Sequence, residues 1–328
     1  MNPSNRALRV GLSAVLCAAV FRLWSSGLPQ RLGAWLTQSE GAAFLIYLET
    51  GRDVRFSPSS EVFSPNFMES PPPAADAAEE AALPVFSDPE AVELYYGAGV
   101  DPDVAALLAR PLTWELRSEE PTVLILHTHA TESYTQTDED YVQSSAWRTL
   151  DEGYNMLSIG AEVAEILEEA GIRTVHDGTL HDYPSYNGSY NRARKTIRSR
   201  LEEAPGIRLV LDLHRDASEG AGGQLRTLAT SQGQTCAQLM LVVGTNHEAY
   251  EENLSLALKL HAQLEAQCPG ITRPLQLRTA RFNQDLSAGA LLVEVGAAGN
   301  THDEALLAAR ELAQAIAALA GGTGEAAG

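Results

Sequence analysis

The chain has 328 residues, enough for one large domain with appendages or for two domains, and its composition is neither fibrous nor wholly disordered. A formal net charge of -20 argues against nucleic acid or an anionic membrane surface as the main partner. Three cysteines are too few for a disulfide scaffold.

Arg6 and Arg9 precede Val10–Val20, which is apolar apart from small residues, and the stretch runs on to Leu28. Its length is close to the roughly 20 residues a membrane span needs; Arg22 interrupts it but can snorkel to the interface beside Trp24. Residues 1–28 are read as a single membrane anchor, with the early arginines cytoplasmic and the rest of the chain outside. The alternative is a cleaved signal peptide with Val10–Val20 as its apolar region. Residues 29–92 begin with a juxtamembrane piece that carries the apolar patch Ala42–Leu48. Ser57–Glu90 then turns rich in Pro, Ala and acidic residues, cannot bury a core, and reads as an extended linker. Cys17 falls in the anchor, whereas Cys236 and Cys268 are either a pair, if their domain is extracytoplasmic, or two separate buried thiols.

Residues 93–328 alternate between strand and helix patterns. Val104–Leu108 is a short helix or turn, and Val123–Leu126 a strand buried on both faces. Asn155–Ala170 carries a helical stripe (Ile159, Val163, Ile166, Leu167) with Gly171 placed to end it. Ile172–His176 is a strand, Asn191–Leu201 a basic helix and Leu209–Leu213 another buried strand. Gln224–Ala229 and Gln238–Val243 read as strands, and Glu248–Gln267 as a long amphipathic helix. Leu291–Val295 is the last strand and Thr301–Leu319 the last helix, with Thr301 and Glu304 in capping-box spacing and Gly321-Gly322 after its end. This alternation indicates one α/β domain with helices on both faces of a sheet.

Three strand ends concentrate chemistry. His127, His129 and Glu132 follow the first buried strand, and His129-Ala-Thr-Glu132 has the H-x-x-E form that offers two of the three protein ligands of an open catalytic zinc site. Either His127 or His129 can be the first ligand. Asp212, His214, Arg215 and Asp216 close the Leu209 strand. Asp212 and His214, two apart, share a face, so His214 is the candidate third ligand with Asp212 or Asp216 fixing its ring. His176 and His181 stand in reserve. Glu294 lies inside the apolar run 291–296, where a carboxylate is costly to bury unpaired; it suits a general acid or base, or else bonds a loop or Arg215. Tyr183, Tyr186, Asn187 and Asn191 belong to a polar, aromatic loop that either lines a groove for an amide-rich, sugar-linked substrate or only covers the core, with Asn191 capping the next helix. Arg192, Arg194, Lys195, Arg198 and Arg200 form a basic patch, either a solvated face or a hold for a substrate carboxylate.

These residues resemble the stage II sporulation protein P family of cell-wall hydrolases. The likeness rests on VLILHTHATESY at 123–134, HDGTLHDYPSYNGSYNRARKTI at 176–197, LVLDLHRDA at 209–217, FNQDL at 282–286 and LLVEVGAAGNTHDEA at 291–305. It implies a three-layer α/β/α domain with a mixed, mostly parallel sheet, similar to other amidases. It also implies a zinc-dependent N-acetylmuramoyl-L-alanine amidase acting on peptidoglycan, and cutting stem-peptide crosslinks as well. The ligands would be His129, Glu132 and His214, with His127 as alternate, and Glu294 would be the catalytic carboxylate. Arg215 is expected to stabilise the oxyanion, and Asn283, in FNQDL, joins Tyr183, Tyr186, Asn187 and Asn191 as a substrate contact. Implied partners are stage II sporulation proteins D and M, at septal peptidoglycan during engulfment of the forespore. The competing expectations are a non-catalytic wall-binding scaffold, and a metallocarboxypeptidase that trims free peptide ends.

Overall fold

The computed structural model describes residues 94–96, 99–112, 115–136, 147–220 and 223–320. The expected anchor, the linker and Gly321-Gly322 lie outside the described residues; among the described residues no helix is long and apolar enough to cross a membrane.

In chain order the first elements are β1 (Leu94–Tyr96), α1 (Val104–Ala109), β2 (Ser118–Leu126), α2 (Met156–Glu169), β3 (Ile172–His176) and α3 (Ser189–Glu203). Next come β4 (Leu209–Asp216), β5 (Glu219–Gly220), β6 (Gly223–Gln224), β7 (Leu228–Ser231), β8 (Gln234–Ala237) and β9 (Leu239–Gly244). The last are α4 (Tyr250–Gln267), β10 (Leu275–Arg278), a 3-10 turn at Gln284–Leu286, β11 (Ala290–Ala297) and α5 (His302–Ala320).

Seven strands make one sheet in the order β1-β10-β9-β11-β4-β2-β3. All neighbours are parallel except β9 and β11. The sheet is therefore two parallel blocks joined back to front, and β2, β4 and β11 lie together in one block with their C-terminal ends on the same edge. Odd-numbered positions of β2 and β4 (Val123, Ile125, Leu209, Leu211) join the large core, as do Ile159, Val163 and Leu167 of α2 and residues of α4 and α5. Even-numbered positions (Leu124, Leu126, Val210) pack with Ala193 and Ile197 of α3 in a second core. Helices on both faces follow from this alternation, because strands buried on both sides need an apolar cover on each.

Local rules account for the ends. Asn155 accepts from Leu157 N at 2.9 Å as the N-cap of α2, and Gly171 at φ 77° takes the left-handed position that stops it. Thr301 and Glu304 exchange the two capping-box hydrogen bonds at the start of α5. Asn191, by contrast, does not cap α3: Gly188 is the N-cap and Asn191 sits inside the first turn. The single strand expected at 224–229 is also replaced. The chain instead forms the β7–β8 hairpin, turning on Gln232 (φ 49°) and Gly233 (φ 78°), the left-handed pair that suits a two-residue turn. Helix α4 is buried on most sides rather than on one stripe, because α1 packs over it; Ser255 Oγ and Lys259 Nζ donate to Leu107 O at 2.7 and 2.8 Å. Cys236 and Cys268 are free, buried thiols.

Candidate metal centre

Beyond Leu126 the alternation of β2 decides which histidine goes where. His127 continues the odd series into the large core. It packs edge-on against His176, with the two Nε2 atoms 2.9 Å apart, and its Nδ1–H donates to Leu213 O at 3.1 Å. Thr128 falls on the α3 face, where its N–H and its hydroxyl both donate to the Asp212 carboxylate at 2.7 and 2.6 Å. The chain then turns, and Glu132 N donates to His129 O at 3.1 Å. That one tight turn brings the first and last residues of H-x-x-E to the same edge. His127 is thereby removed as an alternate ligand, since its ring serves the core on the opposite face. His176 is occupied by His127, and His181 is held between His127 O and Thr196 Oγ1, both at 2.9 Å.

On the α3 face the His129 and His214 rings stand edge to face with centroids 5.2 Å apart. His214 Nδ1 lies 3.5 Å from Glu132 Oε2, and its Nε2 lies 3.0 Å from Asp212 Oδ1, a charge contact without hydrogen-bond alignment. Strand β11 supplies the remaining group. Glu294 is the register partner of His214 across the parallel β4–β11 pair, so the two side chains leave the sheet on one face as neighbours. Asp212, rather than Asp216, is the carboxylate beside the imidazole; Asp216 is taken up by Arg273 at 2.8 Å and by Ser218.

The charges set the protonation states. Burial, the largest influence on His214, disfavours its cation, yet Asp212 and Glu132 outweigh it and raise the pKa well above the ordinary imidazole value. Burial pushes His129 down to about 3, against the opposing pull of Glu132. For Glu132 burial acts upward, but Arg215, His214 and His129 together hold it well below the usual carboxylate range. Charge and burial thus pull the two imidazoles apart: His214 holds its proton more tightly than a free ring, and His129 less tightly.

Arg215 is not where the expected oxyanion role would put it. Its Nε and Nη2 donate to the carbonyls of Ser133 and Trp147 at 3.0 and 2.9 Å, and Nη1 stands 3.6 Å from Glu132 Oε1. Being one residue past His214 on β4, it points to the other face and supports Glu132 from behind. The tyrosines do reach the site. Tyr186 stacks on His129 at 4.5 Å with rings within 10° of parallel, and Tyr190 stands edge-on to the same ring at 5.5 Å. Tyr183 is 51% exposed at the rim. Asn187 is exposed, and its carbonyl accepts from Arg192 at 3.1 Å. Asn283 is buried and structural: its Nδ2 donates to Tyr190 O at 3.0 Å, tying the loop before β11 to α3. The basic patch is largely spent on internal pairs, Arg194 bidentate on Asp285 at 2.7 and 2.6 Å and Arg200 on Asp177. Two neighbours of the site had no sequence signal strong enough to single them out: Arg148, 3.5 Å from Glu132 Oε1, and the buried Asp182 that binds it at 2.5 Å.

His129 Nδ1 is buried and makes no hydrogen bond, which is what a ring awaiting a Lewis acid presents. Two imidazoles and a carboxylate are also the donor set of an open zinc site, and the Asp212 carboxylate beside His214 is the usual outer partner. Among the described residues no three such side chains already converge as a formed cage. His214 instead leans on Glu132 and Asp212, at 3.5 and 3.0 Å. The donor chemistry of His129, Glu132 and His214 fits zinc.

The stage II sporulation protein P (SpoIIP) family model matches residues 69–317 of this chain. The stage II sporulation protein P of Bacillus subtilis (strain 168) is 29% identical over 211 residues, which cover 60% of this chain and 50% of that relative. The match thus spans half the length of the curated relative. Among solved structures, the CwlD amidase of Clostridioides difficile, in complex with the GerS lipoprotein, aligns at 13% identity over 60% of this chain and 95% of that one, with a TM-score of 0.40. An N-acetylmuramoyl-L-alanine amidase of Clostridium difficile 630 aligns at 15% identity over 61% and 94%, with a TM-score of 0.34. With a family match over most of its length, this chain belongs to the stage II sporulation protein P family.

Proposed function

We propose that this protein is a zinc-dependent peptidoglycan hydrolase that cleaves the N-acetylmuramoyl-L-alanine amide, and stem-peptide crosslinks as well, during sporulation. The observation that carries the reading is the register of β11 on β4, which seats Glu294 beside His214 at the edge that also holds His129 and Glu132. Family membership adds the biological setting. The same reading has the chain held by its N-terminal segment at the outer face of the cell membrane and working with stage II sporulation proteins D and M at septal peptidoglycan.

His129, Glu132 and His214 would hold the metal, which when bound supplies Lewis acidity toward the scissile carbonyl and toward water. The rest is done by the chain. Asp212 fixes the His214 ring, and is itself fixed by the two Thr128 hydrogen bonds. Arg215 keeps Glu132 ionised and in place. Glu294 takes the proton from the attacking water and returns it to the departing amine nitrogen, so that one carboxylate serves as base and then as acid. Tyr186 and Tyr190 wall one side of the site.

Purified protein should release intact stem peptides from sacculi, stop when a chelator is added and recover with zinc. Glu294→Gln should retain zinc but lose turnover by roughly 10²–10⁴-fold. A Glu294→Gln protein that digests sacculi at the parent rate rules the mechanism out, and single amino acids as products would make the protein a carboxypeptidase.

A further inference from the structure

We propose that Arg148, anchored by Asp182, is a positioning residue that aims the Glu132 carboxylate and steadies the His129 ring; the proposal rests on the ligand roles given to those two residues above. Two backbone hydrogen bonds, Ser133 N to Trp147 O at 3.0 Å and Thr149 N to Thr131 O at 2.9 Å, flank the isolated bridge between Glu132 and Arg148. They set the two residues opposite each other. The side chain is then fixed from behind. Asp182, with its side chain fully buried, accepts from Thr131 N at 3.2 Å and Thr131 Oγ1 at 2.6 Å, and from Arg148 Nη1 at 2.5 Å. One buried anion therefore locks both the H-x-x-E turn and the guanidinium.

From that anchor Arg148 approaches Glu132 directly and His129 through Tyr186. Its Nη2 lies 3.5 Å from Glu132 Oε1, the oxygen that Arg215 Nη1 approaches at 3.6 Å. With Oε1 between two guanidiniums, Oε2 is the oxygen turned to His214, at 3.5 Å. The same guanidinium covers the Tyr186 ring at 4.9 Å, and Tyr186 stacks on His129 at 4.5 Å. Charge, cation–π contact and ring stacking so run from one side chain to two of the three ligands. A planar fork is required. A lysine ammonium is a point charge that cannot bridge Asp182 and Glu132 while lying over an aromatic face.

The test is zinc affinity of the full chain, by competition with a chromophoric chelator, together with the visible spectrum of the cobalt(II)-loaded protein. Arg148→Met is expected to weaken zinc binding by roughly 10–100-fold, the range for loss of an outer partner, and to change the cobalt bands. Arg148→Lys should not rescue either readout. Asp182→Asn should act in the same direction, and the double variant should lose no more than the worse single one, because the two act as a unit. If the parent binds zinc and Arg148→Met or Arg148→Lys binds it equally with an unchanged cobalt spectrum, the positioning role is overturned. If the parent itself binds no zinc, the hydrolase reading falls and takes this one with it. Should Arg148→Met not fold, Arg148→Lys decides: weakened binding supports the role and parental binding refutes it.

Discussion

Two histidine pairs flank the end of β2, and their internal geometry is almost the same. His127 and His176 stand edge to face at 5.2 Å and 86°; His129 and His214 stand edge to face at 5.2 Å and 82°. Their surroundings differ completely. The first pair lies in the large core beneath α2 and satisfies itself: the Leu213 carbonyl takes the Nδ1 proton of His127, leaving Nε2 to accept from His176. Burial, then the neighbouring ring, pushes His127 down to about 3. The second pair faces Asp212, Glu132 and the register position of Glu294, and there an imidazole gains a proton instead of refusing one. Proximity of two rings therefore says nothing about metal binding. The anions around them differ: Glu132 comes from the turn after β2, whereas Asp212 and Glu294 come from β4 and β11, far away in the chain.

The comparison breaks if both pairs respond alike to substitution. His214→Ala should cost the larger effect, abolishing both zinc uptake and turnover, whereas His127→Gln should retain zinc stoichiometry and lose stability. Zinc content of the purified variants by elemental analysis reads this directly. Equal zinc loss in the two would mean that the faces are not independent. Next in size is Gly160→Ala in α2. A Cβ at Gly160 would lie 2.4 Å from His176 Nε2 and 2.5 Å from His127 Nε2, both in a packed core. The overpacking should cost about 1–3 kcal/mol in denaturant unfolding while leaving zinc affinity at the parent value. A fully tolerated alanine would show that the core pair has room to move.

Much of this division was legible in the sequence. The apolar runs at 123–126, 209–213 and 291–295 located the three strand ends, and the two-residue spacing of Asp212 and His214 put them on one face. The H-x-x-E turn was legible for the same reason, because it is local. Register is not local. That Glu294 sits opposite His214 depends on β11 lying between β4 and β9 and running against β9, and no property of Leu291–Val295 records that. Strand alternation carried one residue further would have sent His127 to the core with Val123 and Ile125. Arg148 and Asp182 escaped because each acts through a single bridge or a loop contact rather than a periodic element. The β7–β8 hairpin escaped because Gln232-Gly233 is a weaker turn signal than Asn-Gly or Asp-Gly, and β1 and β10 because strands of three and four residues carry almost no pattern.

The smallest expected effect sharpens the contrast through pH. Burial lowers the pKa of His176 below its ordinary value of 6.5, with only Asp177 pulling the other way. Below about pH 6.5 the unfolded chain therefore takes up a proton that the folded ring refuses. Since stability rises with pH wherever the unfolded state binds more protons, the core pair makes the fold weaker as pH drops from 6.5, by at most about 1.4 kcal/mol per pH unit for one site. His214 has the opposite sign: its raised pKa contributes stability that is full below 6.5 and is lost as pH climbs through the folded value. Replacing His176 by Gln removes one acid-labile contribution and should flatten the fall in unfolding free energy between pH 6.5 and 5. Above pH 6.5 the metal-free His214→Ala protein should instead lack the fall in unfolding free energy that the parent shows as pH climbs through the raised His214 value. Parallel curves for all three proteins would mean that the two faces do not differ in protonation, and the anions would then not be what separates them.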